Sequence, residues 1–402
     1  MREKQAITKE VAKRYCKAKK KDKMKMLDEL VATTNYNRSY ATRVLRLAPK
    51  RQNKSKGRQI RRRQRMRLYT GGVVATLRKV WAILDMPCGK RLSPYLEVIV
   101  PVLEEFKELQ LDEKTRCMLV SMSAATIDRL LKVDRRRIDL KRRSGTKPGS
   151  LLKHQIPVRT FADWDEEIPG FLEIDLVAHN GGNPRGEFAQ TLDITDIHSA
   201  WTETRAVRNK AQVWVFEALM DISRGLPFPI KGIDSDNGSE FINAHLVRYC
   251  DEKEISFTRS RPSRKNDNCF VEQKNYSVVR KSIGYARHDT AEELALLNEI
   301  YGHLRRYTNF FQPTMKLTRK IRTGSKVKKV YDQPKTPYQR LMDCPDITQA
   351  AKDKLKREYE TINPAVLKRT LTRLVDQLFE LNVTKNKSRR KEATPSTLSS
   401  TF

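Results

Sequence analysis

The sequence predicts an α/β core with a mixed sheet, preceded by all-α helix-turn-helix segments and followed by a helical C-terminal region. Three observations carry this. Short apolar runs of strand character, among them Phe171–Val177 and Ile230–Ile233, are interleaved with helical patterns between residues 166 and 315. Ahead of them, apolar residues recur at three- and four-residue spacing with polar breaks. Beyond residue 346 the same spacing returns among alternating charges, through Leu355, Tyr359, Ile362, Leu367, Leu371, Leu374 and Leu378.

Composition sets the partner class before any motif does. The 402-residue chain carries 81 Lys and Arg against 48 Asp and Glu, a net charge of +33, which marks a polyanion-binding protein rather than a particular fold. Nucleic acid is the natural partner. Hydrophobic residues make up 38%, enough for packed cores. No apolar run is long enough to span a bilayer, and Met1-Arg2-Glu3-Lys4 opens no signal peptide, so a cytoplasmic, nucleoid-associated protein is expected. Cys16, Cys88, Cys117, Cys250, Cys269 and Cys344 are scattered without the close pairs of zinc modules or disulfide frameworks, and read as reduced packing residues.

In chain order, residues 1–50 read as an N-terminal helix-turn-helix. Residues 4–18 place Ile7, Val11 and Tyr15 on one side, residues 23–32 repeat the pattern with Met24, Leu27 and Val31, and Asn37 caps a further helix to Leu47. On that helix Tyr40, Ala41, Val44 and Leu45 are expected inward and Arg38, Ser39, Thr42, Arg43 and Arg46 outward, as in a recognition helix. A plain bundle with a solvated basic face is the alternative. Residues 51–70 form a basic linker whose Arg61, Arg62 and Arg63 suit a phosphate backbone. Residues 71–134 give a second helical domain. Leu77, Val80, Trp81 and Leu84 make one stripe, residues 95–109 another with a kink at Pro101, and residues 113–120 and 124–132, with Ser123 as N-cap, a second helix-turn-helix for DNA or protein contacts. A second basic linker, 135–165, precedes the core at 166–315.

Within the core the order is strand 171–177, the Asn180-Gly181-Gly182-Asn183 turn, strand 187–194, strand 200–207, helix 211–223, strand 230–233, helix 240–254, strand 255–258 and a helix capped by Asn268. Asp175 falls on the first strand, Asp236 just past the end of the fourth, and Glu272 on the last helix. Three carboxylates from separate elements are what a site for two hard cations needs. Glu173 and Asp234 share the strand faces of Asp175 and Asp236, so periodicity alone does not choose among them. Asp193, Asp196 and Asp267 read as turn or cap residues, and His179 and His198 as hydrogen-bonded structure. Residues 316–382 read as a basic and helical C-terminal region, and 383–402 as a disordered tail.

The run Ser235-Asp236-Asn237-Gly238-Ser239-Glu240-Phe241, with residues 237–271 separating Asp236 from Glu272, resembles the DDE transposase and retroviral integrase superfamily. The resemblance covers residues 171–284 with specific motifs. More loosely, the flanks resemble bacterial insertion-sequence proteins with an integrase catalytic domain, and Asn309-Phe310-Phe311-Gln312-Pro313 resembles the segment that closes that domain. It implies a ribonuclease-H-like core, with Asp175, Asp236 and Glu272 as the catalytic carboxylates that hold two Mg²⁺ or Mn²⁺ ions. It also implies double-stranded DNA as the partner, cleavage and strand transfer at element ends, and a homo-oligomer on DNA. The sequence departs from retroviral integrases in lacking their paired His and Cys zinc module. It also has Tyr276 and Val279 where those enzymes have lysines, four and seven residues past the catalytic Glu. Lys274 and Arg280 are the candidate DNA contacts in their stead. An inactive transposon-derived DNA-binding protein and a simple metal-dependent nuclease remain alternatives.

Overall fold

The computed structural model describes residues 2–52, 69, 71–138, 158–159, 168–236, 238, 240–241, 244–260, 269–323 and 326–393. It divides into two compact units, Met1–Leu68 and Tyr69–Phe402.

The first unit holds α1 (Arg2–Lys17), α2 (Lys20–Thr34) and α3 (Arg38–Gln52) around a small core of Ala12, Leu27, Leu30, Ala41 and Leu45. Helix α2 stops where Asn35 turns left-handed and returns its N–H to the Val31 carbonyl. Asn37 then caps α3, its Oδ1 accepting the Ser39 N–H at 2.9 Å. Ala41 and Leu45 face inward as expected, and Arg43 and Arg46 are exposed. Tyr40 does not face inward: it is 43% exposed, edge-on to Tyr36, with the Arg43 guanidinium over its ring. Thr42 is half-buried, its hydroxyl donating to the Arg38 carbonyl at 2.8 Å, and Arg38 is ion-paired with Asp28. Arg61, Arg62 and Arg63 lie outside the described residues.

The second unit begins with α4 (Gly71–Ile83), α5 (Gly89–Glu105), α6 (Glu113–Val120), α7 (Ala124–Leu130) and α8 (Lys132–Ile138). Helix α5 starts ahead of the expected residue 95 and contains both Pro94 and Pro101. Ser123 caps α7 by accepting the Thr126 N–H. Gly89 lets α7 approach closely, since a Cβ there would lie 2.2 Å from the Ala124 carbonyl oxygen.

The sheet follows, with β1 (Val158–Arg159), β2 (Phe171–Ala178), β3 (Gln190–Asp196), β4 (Thr202–Val207), helix α9 (Gln212–Gly225), β5 (Gly232–Ser235), α10 (Ala244–Glu252) and β6 (Ser256–Ser260). Strand order is β1-β6-β5-β2-β3-β4; β2–β3 and β3–β4 are antiparallel and the remaining pairs parallel, so the sheet is mixed. Leu172, Ile174, Leu192, Ile194 and Ile233 join Val215, Ala218, Leu219 and Ile222 of α9 in the core. Alternation sends Glu173, Asp175, Thr191, Asp193 and Asp234 to the opposite sheet face.

Above that polar face run α11 (Cys269–Lys274), a π-helical turn (Asn275–Arg280), α12 (Lys281–Ile283) and α13 (Ala291–Phe311). The chain then forms a two-stranded ribbon, β7 (Leu317–Thr323) and β8 (Lys326–Tyr331), and closes with α14 (Pro337–Asp343), α15 (Gln349–Thr361) and α16 (Pro364–Ala393).

Two expected boundaries do not separate independent cores. Val73 to Leu131 of the helical block, the sheet and Leu341 to Leu378 of the C-terminal helices form one hydrophobic cluster. Polar contacts stitch the same seams: the Tyr95 hydroxyl donates to Phe310 O at 3.3 Å, Gln312 Nε2 to Leu84 O at 2.9 Å, and Lys368 pairs with Asp85 at 2.9 Å. The expected disordered tail is corrected over residues 383–393, where α16 continues. There Lys385 reaches Glu293 at 2.7 Å and Asp289 at 2.9 Å, and Arg389 reaches Asp289 at 2.8 Å.

Candidate active site

The central strand β2 brings Asp175 to the middle of the polar sheet face, and the parallel strand β5 delivers Asp236 just beyond its last residue. Asp175 is half-buried; its Oδ2 accepts the Asn275 amide at 2.6 Å and its Oδ1 the Leu176 N–H at 2.8 Å. Burial first, then the Asp236 carboxylate, with Glu272 adding, push its carboxyl up to about 7 against those two hydrogen bonds. Asp236 is itself raised by burial and by Glu240, while the Gly238 N–H at 2.8 Å pulls it down. A Cβ at Gly238 would lie 2.8 Å from Asp236 Oδ1 and 2.6 Å from Glu240 Cδ, so any side chain there would push the two carboxyl groups aside. Glu272 is exposed on α11, and its charge reaches both Asp175 and Glu173.

The rival carboxylates have different tasks. Glu173 is fully buried, and its Oε2 accepts the first-turn N–H groups of Phe270 and Val271, each at 2.8 Å. These are orphan donors at the start of the helix that carries Glu272. Asn268, the expected cap, lies outside the described residues. Burial outweighs the two N–H bonds and, with Asp234 and Glu272, holds the Glu173 carboxyl well above the ordinary range. Asp234 accepts the Thr258 hydroxyl at 2.6 Å. Asp193 faces Asp175 across the β2–β3 ladder, fully buried, both its carboxyl oxygens without a hydrogen-bond partner among the described residues. It is not a turn residue, and burial raises its carboxyl strongly despite the pull of Lys274.

Lys274 and Arg280 are engaged inside the fold. Lys274 is 7% exposed and donates to the Ala200 carbonyl at 3.3 Å. Burial pushes its ammonium down to about 8 against the attraction of Asp193, with Arg91 and Arg340 pushing the same way. Arg280 is half-buried, donates to Ala178 O at 2.7 Å and lies over the Tyr285 ring. His179 is hydrogen-bonded structure, its Nε2 at 2.7 Å from the Thr191 hydroxyl. Sequence patterning gave no signal for Asn275 or for the capping task of Glu173, since both depend on the approach of α11 to β2.

The arrangement concentrates carboxyls around Asp175 with one buried ammonium nearby, a field that favours a cation. Hard oxygen donors of this kind fit Mg²⁺ or Mn²⁺. Among the described residues no group of three or more His, Cys, Asp or Glu is drawn into a metal-holding arrangement, and the Asn275 amide occupies one oxygen of Asp175.

No family model matches the chain. It is 40% identical over 332 residues to the uncharacterized protein y4rM of Sinorhizobium fredii, a match covering 82% of this chain and 92% of that protein. The chain belongs to the same family as y4rM. Among solved structures, the HTLV-2 integrase catalytic core domain in complex with magnesium is 13% identical, with 37% of this chain and 91% of that one covered, at a TM-score of 0.28. The catalytic core domain of BIV integrase is 12% identical over 43% and 94%, at 0.29. At those scores the reading of the site rests on its own residues.

Proposed function

We propose that this protein is a DDE-type DNA transposase: it binds the terminal repeats of an insertion element, cleaves at their ends and joins them to target DNA. One observation carries the reading, that three separate elements supply Asp175, Asp236 and Glu272, and that the latter two both act on the Asp175 carboxyl. These residues would hold two Mg²⁺ or Mn²⁺ ions. When bound, such a pair activates the attacking oxygen and stabilises the leaving one. Water or a DNA 3′-hydroxyl attacks phosphorus directly, with no covalent enzyme intermediate.

The chain's own groups do the rest. Arg43 and Arg46, exposed on α3, contact element ends, with Thr42 beside them. Asn275 holds an Asp175 oxygen in place, and Glu173 fixes the helix that bears Glu272. The assembly acts as a homo-oligomer on DNA in the bacterial cytoplasm. No described helix is long and apolar enough to cross a membrane.

Incubating the purified protein with a labelled element end and supercoiled plasmid in Mg²⁺ or Mn²⁺ tests the reading. Joined end-plasmid products are expected. Cleavage without joining, at any sequence, makes the protein a nuclease; bound but intact DNA makes it an inactive DNA-binding protein.

A further inference from the structure

The β7–β8 ribbon has no task in the proposed reaction, and it is strongly basic. Neither strand contains a carboxylate, whereas Arg319, Lys320, Arg322, Lys328 and Lys329 are all exposed. The register Arg319↔Val330, Lys320↔Lys329, Ile321↔Lys328 and Arg322↔Val327 distributes them over both faces. One face carries Arg319 and Lys328; the other carries Lys320, Arg322 and Lys329. Ile321, Val327 and Tyr331 are 41%, 48% and 46% exposed, so neither face is a core face.

Such a ribbon is poorly stable in isolation. A bare two-stranded hairpin is marginal in water, and like charges directly opposite, as in Lys320 and Lys329, work against it. Its root is nonetheless fixed: Asp332 accepts the Lys316 N–H at 2.6 Å and pairs with Arg340 at 2.7 Å, and Thr314 and Lys335 exchange backbone bonds of 2.9 and 3.1 Å. A firmly rooted arm with cations on both faces and no carboxylate in either strand is complementary to a polyanion that flanks it on two sides.

We propose that this ribbon inserts into the major groove of B-form duplex DNA, an inference that rests on the DNA-joining reading above. The groove, about 12 Å wide, admits a two-stranded ribbon, and its two phosphate walls meet the two charged faces. The A-form RNA major groove is too deep and narrow for this. A single strand or an acidic protein surface would engage one face.

The test uses the full chain and a short duplex of arbitrary sequence, with binding followed by anisotropy over a range of salt. Two charge-removing variants keep β-forming side chains: R319T/K328T on one face and R322T/K329T on the other. Each is expected to make the slope of log affinity against log salt shallower by about 1.8, from about 0.9 per lost phosphate contact. Binding to an RNA duplex of the same sequence is expected to be the same for wild type and variants. A slope unchanged in either variant overturns insertion, as does an equal loss on duplex RNA, which would make the ribbon a general polyanion contact. Both variants are expected to melt with wild type, since the replaced side chains are exposed. Wild type that joins DNA ends while the variants keep its slope refutes the ribbon proposal alone; wild type that neither binds nor joins DNA refutes the parent reading.

Discussion

Glu173 and Val271 are joined by a 2.8 Å hydrogen bond from the Val271 N–H to Glu173 Oε2, which ties the central strand to the helix that carries Glu272. The Phe270 N–H is held by the same oxygen. Because the carboxyl is raised well above the ordinary range, Gln is a close substitute for its neutral form. Glu173→Gln is expected to melt with wild type and keep strand transfer. Glu173→Leu strands buried N–H groups, with a loss of about 1–3 kcal/mol. Denaturant unfolding checks this, and equal stability of the Leu and Gln variants would show that the clasp contributes nothing.

The fastening of α16 predicts an acid-sensitive stability. Burial opposes ionisation of Asp289, but hydrogen bonds from Arg389, Arg287 and Lys385 outweigh it and hold the carboxyl at about 2. The folded value lies below the unfolded one of about 4, so the stabilisation is complete above that pH and is lost as pH falls through the folded value. Glu293 is depressed in the same sense: burial opposes, and bonds from His288, Lys385, the Asp289 N–H and Asn382 prevail. The melting difference between wild type and Asp289→Asn is expected to shrink as pH drops from about 4 toward 2. A difference independent of pH contradicts it.

The shared core predicts cooperative unfolding. Calorimetry of residues 69–402 is expected to give one transition. A fragment of residues 166–315 is expected not to fold, because Leu304, Tyr307, Phe310 and Phe311 pack in the cluster shared with the helices on either side. A soluble fragment with a native-like melt would contradict it.

On α3, Arg43 and Arg46 are exposed whereas Arg38 is ion-paired with Asp28. Replacing Arg43 and Arg46 by Ala is therefore expected to cost end binding more than Arg38→Ala does. Joining of a pre-cleaved end at high protein concentration should survive. Gel shifts on element ends and shuffled DNA measure the first, and a loss greatest for Arg38→Ala would refute the assignment.

Much of the sheet was legible because period-two alternation survives in β2, where residues 171–177 were expected and Phe171–Ala178 found. The next strand starts at Gln190 rather than residue 187, because Arg287 takes the carbonyls of Asn183, Arg185 and Glu187 out of the ladder. The ribbon β7–β8 was hidden, since charges fill both faces and leave no apolar alternation to read. Residues 383–393 look disordered by composition, but α16 continues through them, and Lys385 and Arg389 reach carboxylates far back in the chain, Asp289 and Glu293. Asp175, Asp236 and Glu272 were legible as carboxylates on three elements, but their choice over Glu173 and Asp234 came from the resemblance and not from local spacing. The roles of Glu173 and Asp193 were not, because burial and cross-strand register have no signature in local spacing.

The central claim is that Asp175, Asp236 and Glu272 form one metal-dependent site. Transfer of a labelled 3′-end by wild type and Asp236→Asn, in Mg²⁺ or Mn²⁺, tests it most directly. The substitution keeps the side-chain shape and removes one carboxylate charge. Wild type is expected to join ends. Asp236→Asn should bind them equally and lose at least about a hundredfold in joining rate. Transfer by Asp236→Asn at the wild-type rate would contradict the assignment.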